Sequence, residues 1–360
     1  LIRAELTRWP GNKTPAFLML DDLGDMRVGE AREGDWGFAG LEPDSTWEFF
    51  TQTYRRALPN LRVALFVSPG RFLNAPASPG LKLYRGGKLA ELLRIVARER
   101  WAEIGFHGID HTTPDGRPEC EGVDDIQEWL RRGRARLEEM AGTAVLGGKC
   151  PSYRGYERVA DHIGSAGFRW WADAWTPIQG GRGRFHGGRE ITASPSGVRL
   201  IPANLGAYAG LYRKRARIAE MLTMPRKRSR LLAKARFLLE KGIPITIQTH
   251  YAALRPDGKR QAYNLYDDRP LLLPLLLGLN GLVWWALPRE ICDYLDTLER
   301  MSFRLDGFTI IISSENPLWE VSFKVHPCPA FLRTQEGYRI YPKNGLFTFL
   351  PRTGAYEAVF

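Results

Sequence analysis

Short apolar runs punctuate the first 300 residues, each ending in polar or turn-forming positions and each followed by a stretch whose apolar residues return every three to four places. Such runs predict strands buried on both faces of a parallel sheet, and the longer spacing predicts helices that cover it. Strands are expected at 15–20, 61–67, from 101 toward 111, and at 144–149, 168–175, 198–202, 243–248 and 282–287. Helices are expected from a cap at Asp44 to Leu58, at 88–100, from a cap at Asp124 or Asp125 to Met140, at 156–167, within 213–241 as one or two pieces, and at 271–277 and 289–301. A strand-then-helix unit repeated about seven or eight times predicts an α/β fold, an irregular (β/α)7-8 barrel.

From about residue 303 the rhythm changes. Short alternating runs at 308–313, 319–325, 338–341 and 345–350, with turns and no helical spacing, predict a small C-terminal antiparallel β module docked on the barrel or used to hold a polymer. The expected division is therefore 1–302 and 303–360.

In a parallel barrel the reactive side chains gather at the C-terminal ends of strands, and Asp21, Asp22, His107, His111, Asp173 and His250 all fall there. The segment W-A-E-I-G-F-H-G-I-D-H brings His107 and His111 four residues apart. That spacing also suits one helix face, but Gly105, Gly108 and the turn-rich residues after His111 favour a strand entering a loop. A loop can bring two imidazoles to one divalent ion; the alternative is a surface histidine beside a hydrogen-bonded one. Two adjacent carboxylates, Asp21 and Asp22, are costly at a buried strand end without positive charge nearby, and they offer the anionic ligand that the histidines lack.

Composition is that of an ordinary globular protein, 44% hydrophobic and 25% charged, which excludes a disordered or fibrous chain. The net charge of +11 is concentrated: residues 213–241 hold eleven Lys or Arg against two Glu. Such a run suits an anionic polymer or membrane surface, or else a solvated helix face; without interleaved aromatics, no nucleic acid is expected as a partner. The four cysteines form no C-x-x-C pair, so no cysteine zinc site is expected, while two disulfides stay open. The apolar run 271–288 is broken by Pro274, Gly278, Asn280 and Gly281, which favours a buried helix and strand over a transmembrane segment. The sequence begins at Leu1 without Met and shows no charged n-region with an apolar h-region, so a trimmed or mature fragment is expected and the location stays open.

Taken in order, these motifs resemble those of the polysaccharide deacetylases, carbohydrate esterase family 4. Leu20-Asp21-Asp22-Leu23 resembles the family's T-F-D-D-G, Glu103 to His111 its E-I-G-x-H-S/T-x-x-H, and His250 the histidine of its L-x-H. The resemblance implies a divalent metal, usually Zn2+ with Co2+ or Ni2+ as alternatives, held by Asp22, His107 and His111. It further implies Asp21 as general base, His250 as general acid, and removal of N-acetyl groups from an amino-sugar polysaccharide or glycoconjugate. A cell-envelope or secreted location would follow from the same resemblance.

Two motifs depart from the family. Its R-x-P-Y/F becomes Lys149-Cys150-Pro151-Ser152, followed by Tyr153: a lysine offers the base a point charge instead of a planar fork, and Ser152 keeps only a backbone donor for an oxyanion. Asp173, between Trp171 and Trp175, resembles the family's aspartate beside the catalytic pair, able to pair with Lys149, tune His250 or cap a strand end. Tyr153, Trp171 and Trp175 are candidate substrate contacts, the tryptophans either walling a sugar ring or packing in the barrel. His162 and His326 read as structural, and His186 as a loop residue. Two further functions fit the same motifs: an O-acetyl esterase or other amidohydrolase on the same metal centre, and an inactive polymer-binding protein signalled by Lys149 and Ser152.

Overall fold

The computed structural model describes residues 2–25, 45–71, 88–111, 113, 115, 117–174, 190–209, 211, 217–251 and 264–360. β1 (Arg3–Leu6) stands apart from the main sheet. That sheet is built from β2 (Pro15–Asp25), β3 (Val63–Arg71), β4 (Ala102–Phe106), β5 (Gly147–Lys149), β6 (Trp170–Ala174), β7 (Thr192–Ala193), β8 (Arg199–Ala203), β9 (Leu205–Gly206), β10 (Ile245–His250) and β11 (Trp284–Trp285). The order is β7-β8-β6-β5-β4-β3-β2-β10-β9 with β11 beside β2, parallel throughout except for β7 against β8. Helices α1 (Thr46–Phe50), α2 (Lys88–Arg98), α3 (Glu119–Gly122), α4 (Ile126–Ala141), α5 (Tyr156–Val159), α6 (Arg217–Glu240), α7 (Leu265–Leu279) and α8 (Pro288–Glu299) lie between the strands in sequence. Asp44, the expected first cap, lies outside the described residues; Ser45 caps α1 by accepting from the Glu48 N–H at 3.1 Å, and Asp125 caps α4.

Strand alternation sorts the side chains onto two faces. Ala16, Leu18 and Leu20 join Val63, Leu65, Ile104, Phe106 and Ile245 in a core shared with helix residues such as Leu92, Leu130 and Leu272. Phe17, Met19, Ala64, Phe66, Trp170 and Ala172 form the other face, which continues into α8 and the C-terminal strands. Gly147 makes room there: a Cβ would lie 2.0 Å from ring carbons of Trp170, which is wholly buried. Asn204, between β8 and β9, links to the start of β10: its N–H donates to Thr246 Oγ1 at 2.9 Å and its Nδ2 donates to the Pro244 carbonyl at 2.7 Å.

Glu103, buried on the Trp170 face, accepts from Trp170 Nε1 at 2.8 Å and from the Arg289 N–H, in the first turn of α8, at 3.0 Å. Burial pushes its carboxyl up to about 7, with the two hydrogen bonds opposing. A raised folded-state value means that this contribution to stability is complete below the ordinary carboxylate range and is lost as pH rises through about 7. The loss is of order 3 kcal/mol for a shift of this size. Urea midpoints should therefore fall between pH 5 and pH 8, and the fall should be clearly shallower in Glu103→Gln; equal slopes in the two proteins would remove Glu103 as the cause.

The C-terminal strands are β12 (Met301–Asp306), β13 (Thr309–Ser314), β14 (Val321–His326), β15 (Phe331–Thr334), β16 (Arg339–Ile340), β17 (Leu346–Phe349) and β18 (Gly354–Val359). They form two antiparallel sheets, β12-β13-β18-β15-β16 and β1-β14-β17. The N-terminal strand thus pairs with the C-terminal part, Arg3 opposite His326 and Leu6 opposite Phe323, a long-range pairing that four alternating residues cannot announce in sequence. The basic stretch supplies a single helix, α6, with Arg217, Arg226, Arg228, Arg230 and Arg236 exposed; residues 213–215 lie outside the described set. No described helix is long and apolar enough to cross a membrane, and all four cysteines are free thiols.

Candidate active site

Asp21 continues the parity of Phe17 and Met19, so its side chain leaves β2 on the same face as theirs. Alternation alone would send Asp22 the other way. Between Leu20 and Leu23 the β2–β3 register slips, and Asp22 takes φ 64°, a left-handed conformation that aspartate tolerates better than most residues. The bulge gathers both carboxylates at one place.

His107 follows the same rule on β4, sharing parity with Glu103 and Gly105, and the chain then turns sharply. Gly108 has φ 79°, and a Cβ there would lie 2.6 Å from Glu119 Oε2 and 2.9 Å from Pro151. Glu119 Oε2 accepts three consecutive backbone N–H groups, Ile109 at 2.7 Å, Asp110 at 3.0 Å and His111 at 3.1 Å. One buried carboxylate thus sets the loop that presents His111, itself at φ 67°. Sequence reasoning missed Glu119, because it stands eight positions after the histidine and no periodicity links them. Glu119→Ala leaves those donors unsatisfied, and metal affinity should fall by roughly 10- to 100-fold, as for other residues that orient a ligand. Chelator competition measures it; unchanged affinity would relieve Glu119 of this role.

Asp22, His107 and His111 are buried, and their candidate ligand atoms lie within 4.8 Å of one another. Asp22 Oδ1 is 3.2 Å from His107 Nε2 and 3.4 Å from His111 Nε2, and Asp22 Oδ2 is 3.5 Å from His250 Nε2. Burial pushes the Asp22 carboxyl up, but His250, then His107 and His111, outweigh it and hold the group well below the ordinary carboxylate range. His107 is pushed down to about 4, by burial first and then by the Lys149 cation. A neutral His107 whose Nδ1–H donates to the Lys149 carbonyl, 3.3 Å away, turns the lone pair of Nε2 toward a carboxylate oxygen. Two acceptors facing each other in a buried setting suit a cation between them, so these three residues fit a divalent metal.

Beside them, Asp21 Oδ2 receives both the Lys149 ammonium and Gln248 Nε2, while Asp21 Oδ1, buried, has no protein hydrogen-bond partner among the described residues. Lys149 is itself buried, with Nζ 4.2 Å from the Tyr153 ring centre and 4.9 Å from that of Phe66; burial lowers its pKa and Asp21 opposes the shift. Ser152 and Tyr153 both adopt left-handed backbone, φ 55° and 53°, in the turn Pro151–Tyr153. The strain seats the Tyr153 ring on Lys149, leaves the Ser152 side chain exposed, and commits the Tyr153 N–H to the Cys150 carbonyl at 3.0 Å. The Tyr153 hydroxyl is buried without a hydrogen-bond partner among the described residues, and Asp21 and Asp22 are among the charges that raise its pKa, after burial.

Other candidates fall elsewhere. Trp171 is wholly buried among Phe106 and Phe168 on the helix-covered face, where it packs the fold. Asp173 shares its parity and accepts the Ala174 N–H at 2.8 Å, and Lys149 forms an ion pair with Asp21. Trp175 and His186 lie outside the described residues, His162 lies in the turns after α5, and His326 ends β14. Gln248, missed by the sequence reading, stands two residues before His250 and so shares its face of β10.

No family model and no curated relative matches the sequence. Structural comparison finds a protein of Mycobacterium smegmatis provisionally named a polysaccharide deacetylase, 14% identical over 81% of this chain and 93% of that one, at a TM-score of 0.45. It also finds a family 4 acetyl xylan esterase from Clostridium thermocellum in complex with a cobalt ion, 10% identical over 74% and 85%, TM-score 0.36. A GH57 branching enzyme from Thermococcus kodakaraensis is 12% identical over 78% and 71%, TM-score 0.47. What the site can do chemically is therefore read from its own side chains. Polysaccharide deacetylases and a family 4 esterase stand among the structural neighbours, and the ordered motifs of the chain resemble that same family.

Proposed function

We propose that the chain is a metal-dependent hydrolase that removes N-acetyl groups from an amino-sugar polysaccharide or glycoconjugate, releasing acetate and a free amine. The observation that carries this reading is the convergence of Asp22, His107 and His111 on one point, with Asp21 and His250 beside it. Asp22, His107 and His111 would hold the ion, most simply Zn2+. When bound, such an ion polarises the scissile carbonyl and makes an attacking water more acidic. Asp21 Oδ1, left open while Oδ2 is held, takes the proton from that water. His250, whose Nε2 faces Asp22 and whose ring lies 6.4 Å from that of Tyr208, delivers a proton to the departing amine. The Tyr153 hydroxyl is a ready donor to the substrate.

The same reading takes the hydrogen bonds from Asn204, after β8, to Pro244 and Thr246 of the β10 segment as closure of an irregular barrel, and keeps residues 303–360 as an accessory β module to which β1 contributes a strand. Exposed arginines on α6 make an anionic polymer or membrane surface a partner consistent with the expected substrate. Lys149 gripping Asp21 favours chemistry over a purely polymer-binding role. Acetate release from N-acetylated chito-oligosaccharides, with and without chelator, tests the proposal, and an O-acetylated xylan arm separates amide from ester. Chelator-insensitive release, or none on either substrate, would overturn it.

A further inference from the structure

Lys149 and Gln248 reach Asp21 from strands on opposite sides of β2, and both donate to the same oxygen, Oδ2. We propose that Gln248 is a positioning residue for Asp21, and that it and Lys149 form a two-part clamp which fixes the carboxylate plane and reserves Oδ1 for proton transfer. This rests on the hydrolase reading above.

A lone ammonium attracts a carboxylate but does not set its rotation, because its three donors turn about one point. A second donor from a different direction does. Gln248 suits the task because β10 and β2 run parallel in register, with Gln248 opposite Met19 and His250 opposite Asp21, so the amide rises from β10 just below the carboxylate. Gln248 is buried, and its backbone carbonyl accepts the Ala207 N–H at 3.0 Å, which holds the strand against β9. The amide nitrogen is the only end of that side chain that can face a carboxylate oxygen without repulsion. Two residues on different strands thus place two donors on Oδ2 and leave Oδ1 to the water.

Gln248→Leu, Lys149→Arg and the double variant test the clamp on zinc-loaded protein with N-acetylated chito-oligosaccharides. Gln248→Leu should lower kcat by roughly 10- to 100-fold with KM within about threefold, since a loosened base costs orientation and not binding. Bound zinc should stay at the parent level. Lys149→Arg combined with Gln248→Leu should recover most of the lost kcat, because a guanidinium can set two N–H donors on Oδ2 and so fix the carboxylate by itself. Full kcat in Gln248→Leu, loss of zinc from it, or no recovery in the double variant would each overturn the clamp.

A thermal-melting cycle decides the contact without turnover. Gln248→Leu should lower the melting temperature of the metal-free protein by several degrees, and by less than half as much in an Asp21→Asn background. Equal shifts in the two backgrounds would overturn the clamp. An inactive parent protein whose melting cycle still shows coupling would instead count against the hydrolase reading alone.

Discussion

Asp22→Asn should strip the centre of metal and, with it, of nearly all activity. Asparagine keeps the shape of the side chain and removes its charge, which is the part that the surrounding imidazoles use: Asp22 stays ionised in a buried setting because His250, His107 and His111 hold its carboxyl low. Metal analysis after dialysis should give about one zinc per parent chain and close to none for the variant. Losing a Lewis acid worth several kcal/mol predicts a fall in kcat/KM of about 10³-fold or more. Stability should fall as well. A carboxyl that the imidazoles hold low contributes stability to the folded protein at neutral pH, so the metal-free variant should melt below the metal-free parent, and added zinc should raise the melting temperature of the parent only. A variant that binds zinc like the parent would move the centre away from Asp22.

What was readable in the sequence follows how far apart the interacting residues lie along the chain. Asp21, His107 and His250 each close an apolar strand, and side-chain alternation fixes their face from a few neighbouring residues. The bulge that turns Asp22 inward leaves no local pattern; only the neighbouring D-D motif pointed to it. Trp171, a candidate sugar wall in the sequence, is one residue from Trp170, yet Trp170 faces Phe66 and Trp171 faces Phe106, and residue type alone could not say which face either would take. Glu119 and Gln248 were invisible for a different reason. Their partners are backbone N–H groups across a loop and a carboxylate on a neighbouring strand, and both depend on register, which is set by the whole sheet. The pairing of β1 with β14, which joins the two ends of the chain, lies at the far limit of that scale.

Asp21→Asn should leave the metal in place and lower kcat by about 10²- to 10⁴-fold, the range over which a positioned base contributes. KM should change little, because the carboxylate acts on water and not on the sugar. The substitution also has a structural cost that must be separated from the chemical one. Lys149 is buried, and its ammonium pairs with Asp21 Oδ2; an asparagine leaves that cation without its counter-charge. Breaking a buried pair from one side typically costs about 3–5 kcal/mol, unless the lysine sheds its proton, and burial already pushes Lys149 in that direction. Removing both charges, in Asp21→Asn with Lys149→Met, should therefore recover much of the stability lost in the single variant. It should recover none of the rate. Urea denaturation and zinc-loaded turnover, measured on the same three proteins, distinguish the two effects: a doubly substituted protein that is stable, metal-bound and inactive identifies Asp21 as the base. The same protein turning over near the parent rate would assign the proton transfer to another group, with the buried pair serving the fold alone.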